Sequence, residues 1–171
     1  MSHLRSFIAR APVAALAIAV LGAQAGAQRA VAPRDLSGDW VLLPAASDFG
    51  KDGPPRSMRV EVRQDSLALL VVSHLVNDAG EHTASARYAL DGSENRNVNS
   101  GLTVVSRLAW HGDSCVVEAR TRRFAMTIHI SDRWSLSPDG TRLTLERNIS
   151  ALIGSRRMLL VFARAGAAAE R

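Results

Sequence analysis

The sequence predicts an all-β fold, a single antiparallel up-and-down barrel of about eight to ten strands. The first observation is the region 102–149, which holds four apolar-rich runs without Pro or Gly and rich in Val, Ile, Thr and Trp, as strands are. The second is that nearly all connections are short, which makes sequence neighbours antiparallel neighbours. The third is that no segment has the apolar period of a helix longer than about two turns. A meander of this length must cover its edge strands, and closure into a barrel does so.

The predicted elements follow the alternation of apolar and polar residues along the chain. The first strand begins at Ser37-Gly38-Asp39-Trp40 and ends near Leu43, and residues 44–57 form a loop rich in Pro and Gly. Residues 58–64 alternate apolar and charged side chains, which predicts a strand with one wet face. The remaining strands are predicted at residues 67–76, 83–90, 95–99, 103–110, 115–122, 126–136, 142–149 and 156–164, of which 95–99 is short and polar.

Two short loops predict hairpins from their turn residues. Gly112-Asp113 fits a two-residue type II′ turn, because Gly can supply the positive φ that this turn needs, and the turn pairs Trp110 with Cys115. Asp91-Gly92 is typical of a type I′ turn and predicts a hairpin between residues 83–90 and 95–99.

The hairpin around Pro138-Asp139-Gly140 allows two registers that differ by one residue. A type I turn followed by a left-handed Gly pairs Ser137 with Thr141. Matching the apolar rows of the two strands instead pairs Asp132 with Arg147. We favour the apolar rows, because a one-residue slip would move a whole buried row to the solvent side.

The N-terminal region predicts export. Arg5 and Arg10 precede an apolar run over residues 11–22, and small residues follow, which together predict a secretory signal peptide over residues 1–25, cleaved near Ala25 or Ala27. The run is shorter than the ~20 apolar residues that span a bilayer, so a membrane-spanning segment is not expected, and a buried N-terminal helix is the alternative. Residues 26–36 are predicted as a flexible lead-in, 37–164 as the barrel and 165–171 as a frayed tail. The mature protein is expected to be periplasmic or secreted.

Composition sets limits on the mature chain. Cleavage after Ala25 removes 25 of the 171 residues, and the remaining 146 suffice for one domain with its own core. The loss of Arg5 and Arg10 lowers the formal net charge from +5 to +3, and no basic patch with a recognisable module predicts nucleic-acid binding. Cys115 is the only Cys, so no internal disulfide is expected, and its apolar surroundings favour a core residue over a reactive thiol.

Several motifs resemble those of lipocalin-like (calycin) barrels. Gly38-Asp39-Trp40 is similar to the G-x-W signature of the first strand, where the Trp closes one barrel end against an Arg of the last strand. The resemblance implies Trp40 and Arg164 as the barrel-end closure, with Arg157 as the second candidate for the Arg. The chain lacks the long C-terminal helix and usual disulfide of true lipocalins, and it has no room for the two helices that follow the first strand in fatty-acid-binding proteins.

A closer resemblance is to uncharacterised small exported bacterial lipocalin-like proteins. It implies the barrel but no particular ligand, and its motifs span most of the mature chain. They are Gly38-x-Trp40-x-Leu42, Ser47-Asp48-Phe49, Tyr88-x-Leu90-Asp91-Gly92, Trp110-x-Gly112-Asp113 and Arg133-Trp134-x-Leu136-Ser137-x-Asp139-Gly140.

No motif assigns a catalytic residue, a metal ligand or a cofactor. The mature chain has His74, His82, His111 and His129 on separate segments, and it contains no H-E-x-x-H, C-x-x-C, G-x-S-x-G, P-loop or dinucleotide motif. A Ser-His-Asp triad stays open, because its members meet in space rather than in sequence.

Asp132 and Arg147 are charges that fall within otherwise apolar rows. In the apolar register they face each other inside the barrel, where an unpaired charge would cost several kcal/mol. They are candidates for a polar anchor that holds the head group of an apolar ligand. The alternatives are a purely internal ion pair and an outward-facing pair at a barrel mouth.

Together these patterns predict an exported barrel that binds a small hydrophobic or amphipathic molecule in its interior without catalysis. An envelope protein-interaction module with a solid core and a functional outer surface is the alternative, and an enzyme that uses the cavity is a third. The residues expected to line the cavity share the inward parity of their strands and are Val60, Val62, Leu69, Val71, Leu108, Trp110, Ile128, Ile130, Trp134, Leu145 and Phe162.

Overall fold

Ten antiparallel strands make up almost all regular structure in residues 34–166, which are the residues that the computed structural model describes. The predicted signal peptide, most of the lead-in and most of the C-terminal tail lie outside these residues. The all-β, up-and-down fold is confirmed, with a single 3₁₀ turn at Pro44–Ala46 and no helix of the length and apolar character needed to cross a bilayer among the described residues. The strands are β1 Gly38–Leu42, β2 Ser57–Gln64, β3 Ala68–Asn77, β4 Gly80–Ala89, β5 Asn95–Asn99, β6 Leu102–His111, β7 Ser114–Arg123, β8 Met126–Leu136, β9 Arg142–Ala151 and β10 Gly154–Arg164.

Pairing of the first strand with the last turns this meander into a barrel. The strand order is β4-β3-β2-β1-β10-β9-β8-β7-β6-β5, so every neighbour except β1 and β10 is also a sequence neighbour. Trp40 on β1 lies opposite Arg164 on β10, and Leu42 lies opposite Phe162. Both β1 and β10 therefore gain a partner on each side, which removes two of the exposed edges that a flat meander would have.

The β6–β7 and β8–β9 hairpins follow the apolar rows. Trp110 lies opposite Cys115 across a turn whose Gly112 has a φ of +60°, as a type II′ turn requires. Asp132 lies opposite Arg147, and the amide of Ser137 donates to the carbonyl oxygen of Arg142 at 2.9 Å. The register that pairs Ser137 with Thr141 is therefore not formed, because the buried row determines the pairing and the loop lengthens to fit it.

The predicted type I′ hairpin at Asp91-Gly92 is wrong. Gly92 has a φ of +78°, but Asp91 lacks the positive φ that the first position of this turn requires. Residues 90–94 instead form a wider connection, and β4 and β5 share no backbone ladder. The barrel therefore has a seam between β4 and β5, the only two of the described strands that are neighbours in sequence but not in the ladder.

Side chains of three alternating asparagines on β5 bridge this seam. The Oδ1 atoms of Asn95, Asn97 and Asn99 accept hydrogen bonds at 2.9 Å from the backbone amides of Ala89, Arg87 and Ser85. The Nδ2 groups of Asn97 and Asn99 donate back to the carbonyl oxygens of Arg87 at 3.2 Å and Ser85 at 3.0 Å. A carboxamide carries the same donor and acceptor as a peptide unit, so these side chains replace the missing strand ladder.

Antiparallel connectivity gives the barrel two different ends. The closed end, as we use the term, carries the start of β1, the end of β10 and the connections at residues 65–67, 90–94, 112–113 and 137–141. The open end carries the loop 43–56 and the two-residue turns at 78–79, 100–101, 124–125 and 152–153.

Trp40 and Arg164 lie against each other at the closed end. The guanidinium carbon of Arg164 is 4.4 Å from the centroid of the Trp40 ring, and the indole Nε1 of Trp40 donates to the carbonyl oxygen of Leu36 at 3.2 Å. Leu36 is buried in the core, and the carbonyl oxygen of Arg34 accepts a hydrogen bond from Gln64. The last residues of the predicted flexible lead-in are thus fixed against the barrel, because Leu36 supplies an apolar side chain that covers this end.

The closed half of the barrel is solid. Trp40, Val62, Leu69, Leu108 and Phe162 are each at most 1 % exposed and belong to one cluster of buried side chains. Cys115 lies in the same cluster, and burial raises the pKa of its thiol to about 12. A thiol that stays protonated in this way is a small core residue rather than a nucleophile.

Candidate functional site

The open half of the barrel contains an interior cavity of about 240 Å³. Its apolar wall includes Val60, Val71, Trp134 and Leu145 from four different strands. Small side chains on the facing strands leave the space unfilled, whereas branched or aromatic residues at the same positions would occupy it. These small residues are Ser73 on β3, Ala84 and Ala86 on β4, and Ala119 on β7.

A bidentate ion pair crosses the wall of this cavity. Nε of Arg147 donates to Oδ1 of Asp132 at 2.7 Å, and Nη2 donates to Oδ2 at 2.6 Å. The Asp132 side chain is 6 % exposed and that of Arg147 is 31 % exposed. Burial disfavours the charged guanidinium, but the adjacent carboxylate outweighs this effect and raises the pKa of Arg147. The guanidinium therefore stays charged, and within residues 34–166 its remaining N–H groups, two on Nη1 and one on Nη2, can donate to another acceptor.

Tyr88 contributes a second polar group to the same cavity. Burial, together with the negative charge of Asp132, raises the pKa of the Tyr88 phenol to about 12. Tyr88 lines the cavity as a neutral phenol, so its hydroxyl can donate a hydrogen bond to a guest. The carboxamides of Asn97 and Asn99 line the cavity where it meets the seam between β4 and β5.

A wider depression of about 570 Å³ lies above the cavity at the open end. Met58 and Arg147 line both spaces, which makes them the boundary between the interior and the mouth. Phe49, Pro54 and Leu75 contribute much of the apolar wall of the mouth. The loop 43–56 thus forms one side of the mouth, held in place by paired backbone hydrogen bonds between Asp48 and Leu159.

Five of the predicted lining residues lie on the cavity wall, namely Val60, Val71, Ile130, Trp134 and Leu145. The predicted anchors Asp132 and Arg147 are on it as well. Inward parity places a side chain inside the barrel but does not say whether its neighbours fill the space around it. For this reason Val62, Leu69, Leu108 and Phe162 lie in the solid half instead.

The two other predicted lining residues lie elsewhere. Trp110 packs partly buried against the core near the closed end, and its Nε1 has no hydrogen-bond partner among the described residues. Ile128 lines a groove at the open end together with Ile149 and Lys51.

Sequence reasoning missed much of the polar and small-residue lining. A signal was present for β4, where Ala84, Ala86 and Tyr88 share one parity, and for β5, where asparagine recurs at every second position. Neither strand looked like a cavity wall, because small or amide side chains carry little apolar signal. The lining residues not expected from the sequence are Met58, Ser73, Ala84, Ser85, Ala86, Tyr88, Asn97, Asn99, Val104, Val117 and Ala119.

None of the four described histidines lines the cavity. His74, His82, His111 and His129 are all exposed, and His74 contacts Thr83 and Glu61 on the outer surface. Among residues 34–166 there is no group of three His, Cys, Asp or Glu side chains placed to hold a metal ion.

Three solved structures of similar fold match most of the barrel. The zebrafish ileal bile acid-binding protein, complexed with cholic acid, aligns with a TM-score of 0.54 at 12% identity over 75% of this chain and 98% of its own. The fluorescent protein UnaG aligns with a TM-score of 0.53 at 14% identity over 75% of this chain and 96% of its own. A secretory abundant heat soluble (SAHS) protein from Ramazzottius varieornatus aligns with a TM-score of 0.53 at 10% identity over 75% and 94%.

These likenesses show the fold, a lipocalin-like barrel, and at such identities they show nothing finer. No protein-family model and no curated protein sequence matches the chain.

Proposed function

We propose that this barrel binds one small hydrophobic or amphipathic molecule in its open half and carries out no chemistry on it. The observation that carries the proposal is the cavity of about 240 Å³, with a mostly apolar wall on which a few polar groups converge. This combination is typical of small-molecule sites, in which apolar surface supplies affinity and a few polar groups fix the orientation. A solid interaction module would have no need of such a space.

Arg147 and Tyr88 suggest how the molecule is oriented. Within residues 34–166 Asp132 engages Nε and Nη2 of Arg147, so Nη1 and the neutral Tyr88 hydroxyl are the donors that we expect the guest to meet. Both favour an acceptor such as a carboxylate, carbonyl or hydroxyl oxygen. The ligand proposed here therefore places an oxygen-bearing group beside Arg147 and apolar atoms against Trp134 and Leu145.

The cavity volume limits the size of the guest. A volume of about 240 Å³ lies just below the roughly 300–1,000 Å³ usual for ligand pockets, so a long acyl chain does not fit inside it. A longer molecule would have to extend past Met58 and Arg147 into the mouth. The complex of the zebrafish bile acid-binding protein with cholic acid supports an amphipathic guest for a barrel of this fold, although identity at 12% carries no ligand across.

Thermal unfolding with a panel of ligands tests this proposal. The protein is heated alone and with fatty acids of increasing length, aromatic acids, sterol acids and hydrophobic dyes. At least one compound should raise the melting temperature, and the rise should continue with the logarithm of ligand concentration above the Kd. Ala86→Leu fills the cavity and should abolish that rise, whereas Ala109→Leu, on an exposed position of β6, should not. If no compound shifts the melting temperature, or if both variants respond like the parent protein, the cavity is not a binding site.

Export is the second part of the proposal. We propose that residues 1–25 direct secretion and that the mature barrel acts in the periplasm or outside the cell, as in the small exported bacterial lipocalin-like proteins that its motifs resemble. Expression in a bacterial host, followed by cell fractionation and intact-mass measurement, tests this directly. The expected product lacks the residues before position 26 or 28 and leaves the cytoplasm with the periplasmic fraction. A full-length product retained in the cytoplasm would overturn it.

A further inference from the structure

Three large apolar side chains protrude from the open end of the barrel. Phe124, in the β7–β8 turn, is 94 % exposed. Leu152 and Ile153, in the β9–β10 turn, are 96 % and 84 % exposed. The two turns are neighbours, because β8 and β9 pair side by side and continuing their register beyond His129 and Ser150 brings Met126 level with Ile153. The apolar tips therefore lie on adjacent turns, and we refer to them together as the apolar cluster.

The backbone conformation at Phe124 is unfavourable for an aromatic residue, which makes its exposure a stronger indication of function. Its φ is +56°, a left-handed conformation that Gly, Asn or Asp adopts far more easily than an aromatic residue does. An aromatic residue at such a position costs folding free energy, and among the described residues its ring gains little beyond the guanidinium of Arg123, 5.9 Å from the ring centroid. Exposed apolar groups of this size, clustered rather than scattered, are typical of an interaction surface.

Arginines surround the cluster, and the half of each hairpin next to the tips contains no carboxylate. Arg122 and Arg123 precede Phe124, and Arg156 and Arg157 follow Ile153. No Asp or Glu occurs in residues 119–131 or 147–166. Arg156 pairs with Asp52, whereas Arg122, Arg123 and Arg157 have no carboxylate within ion-pair distance in the described part of the chain. The tips and these three free arginines are called the tip patch below.

We propose that the tip patch docks the barrel onto the surface of a bilayer that contains anionic lipid. Two interactions hold peripheral proteins on such surfaces. Apolar side chains insert at the headgroup boundary, and basic side chains are attracted to the lipid charge. The tip patch offers both. A second copy of this chain fits the patch poorly, because a two-fold interface would bring both sets of free arginines together. The docked barrel has its mouth at the lipid surface, and the docking does not depend on whether the cavity holds a ligand.

Sedimentation with vesicles tests the docking. The full chain is used in the form the cell produces, and all variants share its N-terminus, so differences in binding report the patch alone. Vesicles of phosphatidylcholine and phosphatidylglycerol in equal parts should bind the protein, vesicles of phosphatidylcholine alone should bind it much more weakly, and added salt should release it. Changing Arg122, Arg123 and Arg157 together to Gln should weaken binding about a hundredfold, at roughly fivefold per arginine.

Variants of the apolar tips separate docking from folding. Phe124→Asn suits the left-handed turn, so the fold should be kept while binding to the mixed vesicles falls about tenfold or more. Leu67→Ser removes an exposed apolar residue, 71 % exposed, at the closed end, and Arg107→Gln removes an arginine from the barrel wall, so both should bind like the parent. Equal binding to both kinds of vesicle, equal losses in the controls, or self-association through the patch in place of lipid binding would overturn the proposal.

Discussion

Arg147 on β9 donates two parallel hydrogen bonds, at 2.7 Å and 2.6 Å, to the carboxylate of Asp132 on the neighbouring strand β8. The pair lies between the apolar cavity wall and the mouth of the barrel. The pair thus serves two purposes. Each charge offsets the cost of burying the other inside the barrel, and the guanidinium N–H groups that Asp132 does not engage can donate to a molecule in the cavity.

Breaking this pair from either side should destabilise the barrel more than replacing both members. Arg147→Met leaves a carboxylate that is almost fully buried without its partner and should cost about 3 kcal/mol of unfolding free energy. Asp132→Leu combined with Arg147→Met should recover most of that loss, because no unpaired charge remains. Urea unfolding of the two single variants and the double variant measures the coupling, and strictly additive losses would contradict a structural role for the pair.

The same variants test the anchor. A ligand identified by its effect on thermal unfolding should bind more weakly to the double variant if its oxygen-bearing group contacts Arg147, even where the stability of that variant matches the parent. Unchanged affinity would leave Asp132 and Arg147 as an internal ion pair without a role in binding.

Gly38 lies where Arg164 covers Trp40, and the space there leaves no room for a Cβ atom. Gly38 has a φ of +155°, and a Cβ there would collide with the Arg164 guanidinium and come within 3.2 Å of the Trp40 ring. Gly38→Ala should therefore cost about 2 kcal/mol of unfolding free energy, by backbone strain and by displacement of the arginine. Gly53→Ala is the matched control, since a Cβ at Gly53 would meet no described atom within 4 Å and the residue has no positive φ, and it should unfold like the parent in urea.

Asp139 should make the β8–β9 turn sensitive to acid. The Ser137 hydroxyl, the Thr141 amide and the Thr141 hydroxyl all donate to its carboxylate and lower its pKa from 3.8 to about 2. A lowered folded-state pKa contributes stability that is fully present above the unfolded-state value and is lost as the pH falls through the folded-state value. The stability difference between the parent and Asp139→Asn should therefore shrink as the pH falls from about 4 to about 2, as measured by urea unfolding at each pH. A difference that stays constant over this range would contradict the prediction.

The strands and the β8–β9 register could be predicted from the sequence, for one physical reason. Branched and aromatic residues at every second position can be buried together on only one face, so the rows that hold Trp134 and Leu145 determine their own pairing. The division of the barrel into a solid and a hollow half could not be predicted in the same way. Val60 and Val62 have the same parity on β2, yet Val60 faces the cavity and Val62 the solid core, because the difference depends on the size of residues on distant strands.

Turn chemistry was a weaker guide than the buried rows. Asp91-Gly92 predicted a hairpin from two residues, but β5 supplies asparagine side chains where a hairpin would need backbone groups. The recurrence of asparagine at positions 95, 97 and 99 was visible in the sequence. The role of these asparagines could not be predicted from the sequence, because they bridge to β4 only if β4 lies one side-chain length away.

The asparagine bridge makes a local prediction for the seam between β4 and β5. Asn97 accepts from the amide of Arg87 at 2.9 Å and donates to the carbonyl oxygen of Arg87 at 3.2 Å, so Asn97→Ala leaves both backbone groups without a protein partner. Because Arg87 is exposed, water can replace these bonds, and the loss of unfolding free energy should be only about 1 kcal/mol. The Arg87 amide should nevertheless lose its protection in hydrogen exchange, while the Ala109 amide, which faces Val116 in the β6–β7 ladder, keeps its own.

Asn148→Ala provides the control for this experiment, since Asn148 is an exposed asparagine on β9 that forms no such bridge within residues 34–166. It should leave hydrogen exchange at the Arg87 amide unchanged.

The cavity meets the seam at Asn97 and Asn99, so a weakened bridge should also speed the release of any bound ligand without removing a contact at Arg147. Faster dissociation and faster association of the same ligand in Asn97→Ala, with little change in affinity, would therefore mark the bridge as a closure over the route to the cavity. Protection at Arg87 equal to that of the parent would show that the backbone of β4 does not depend on the asparagines.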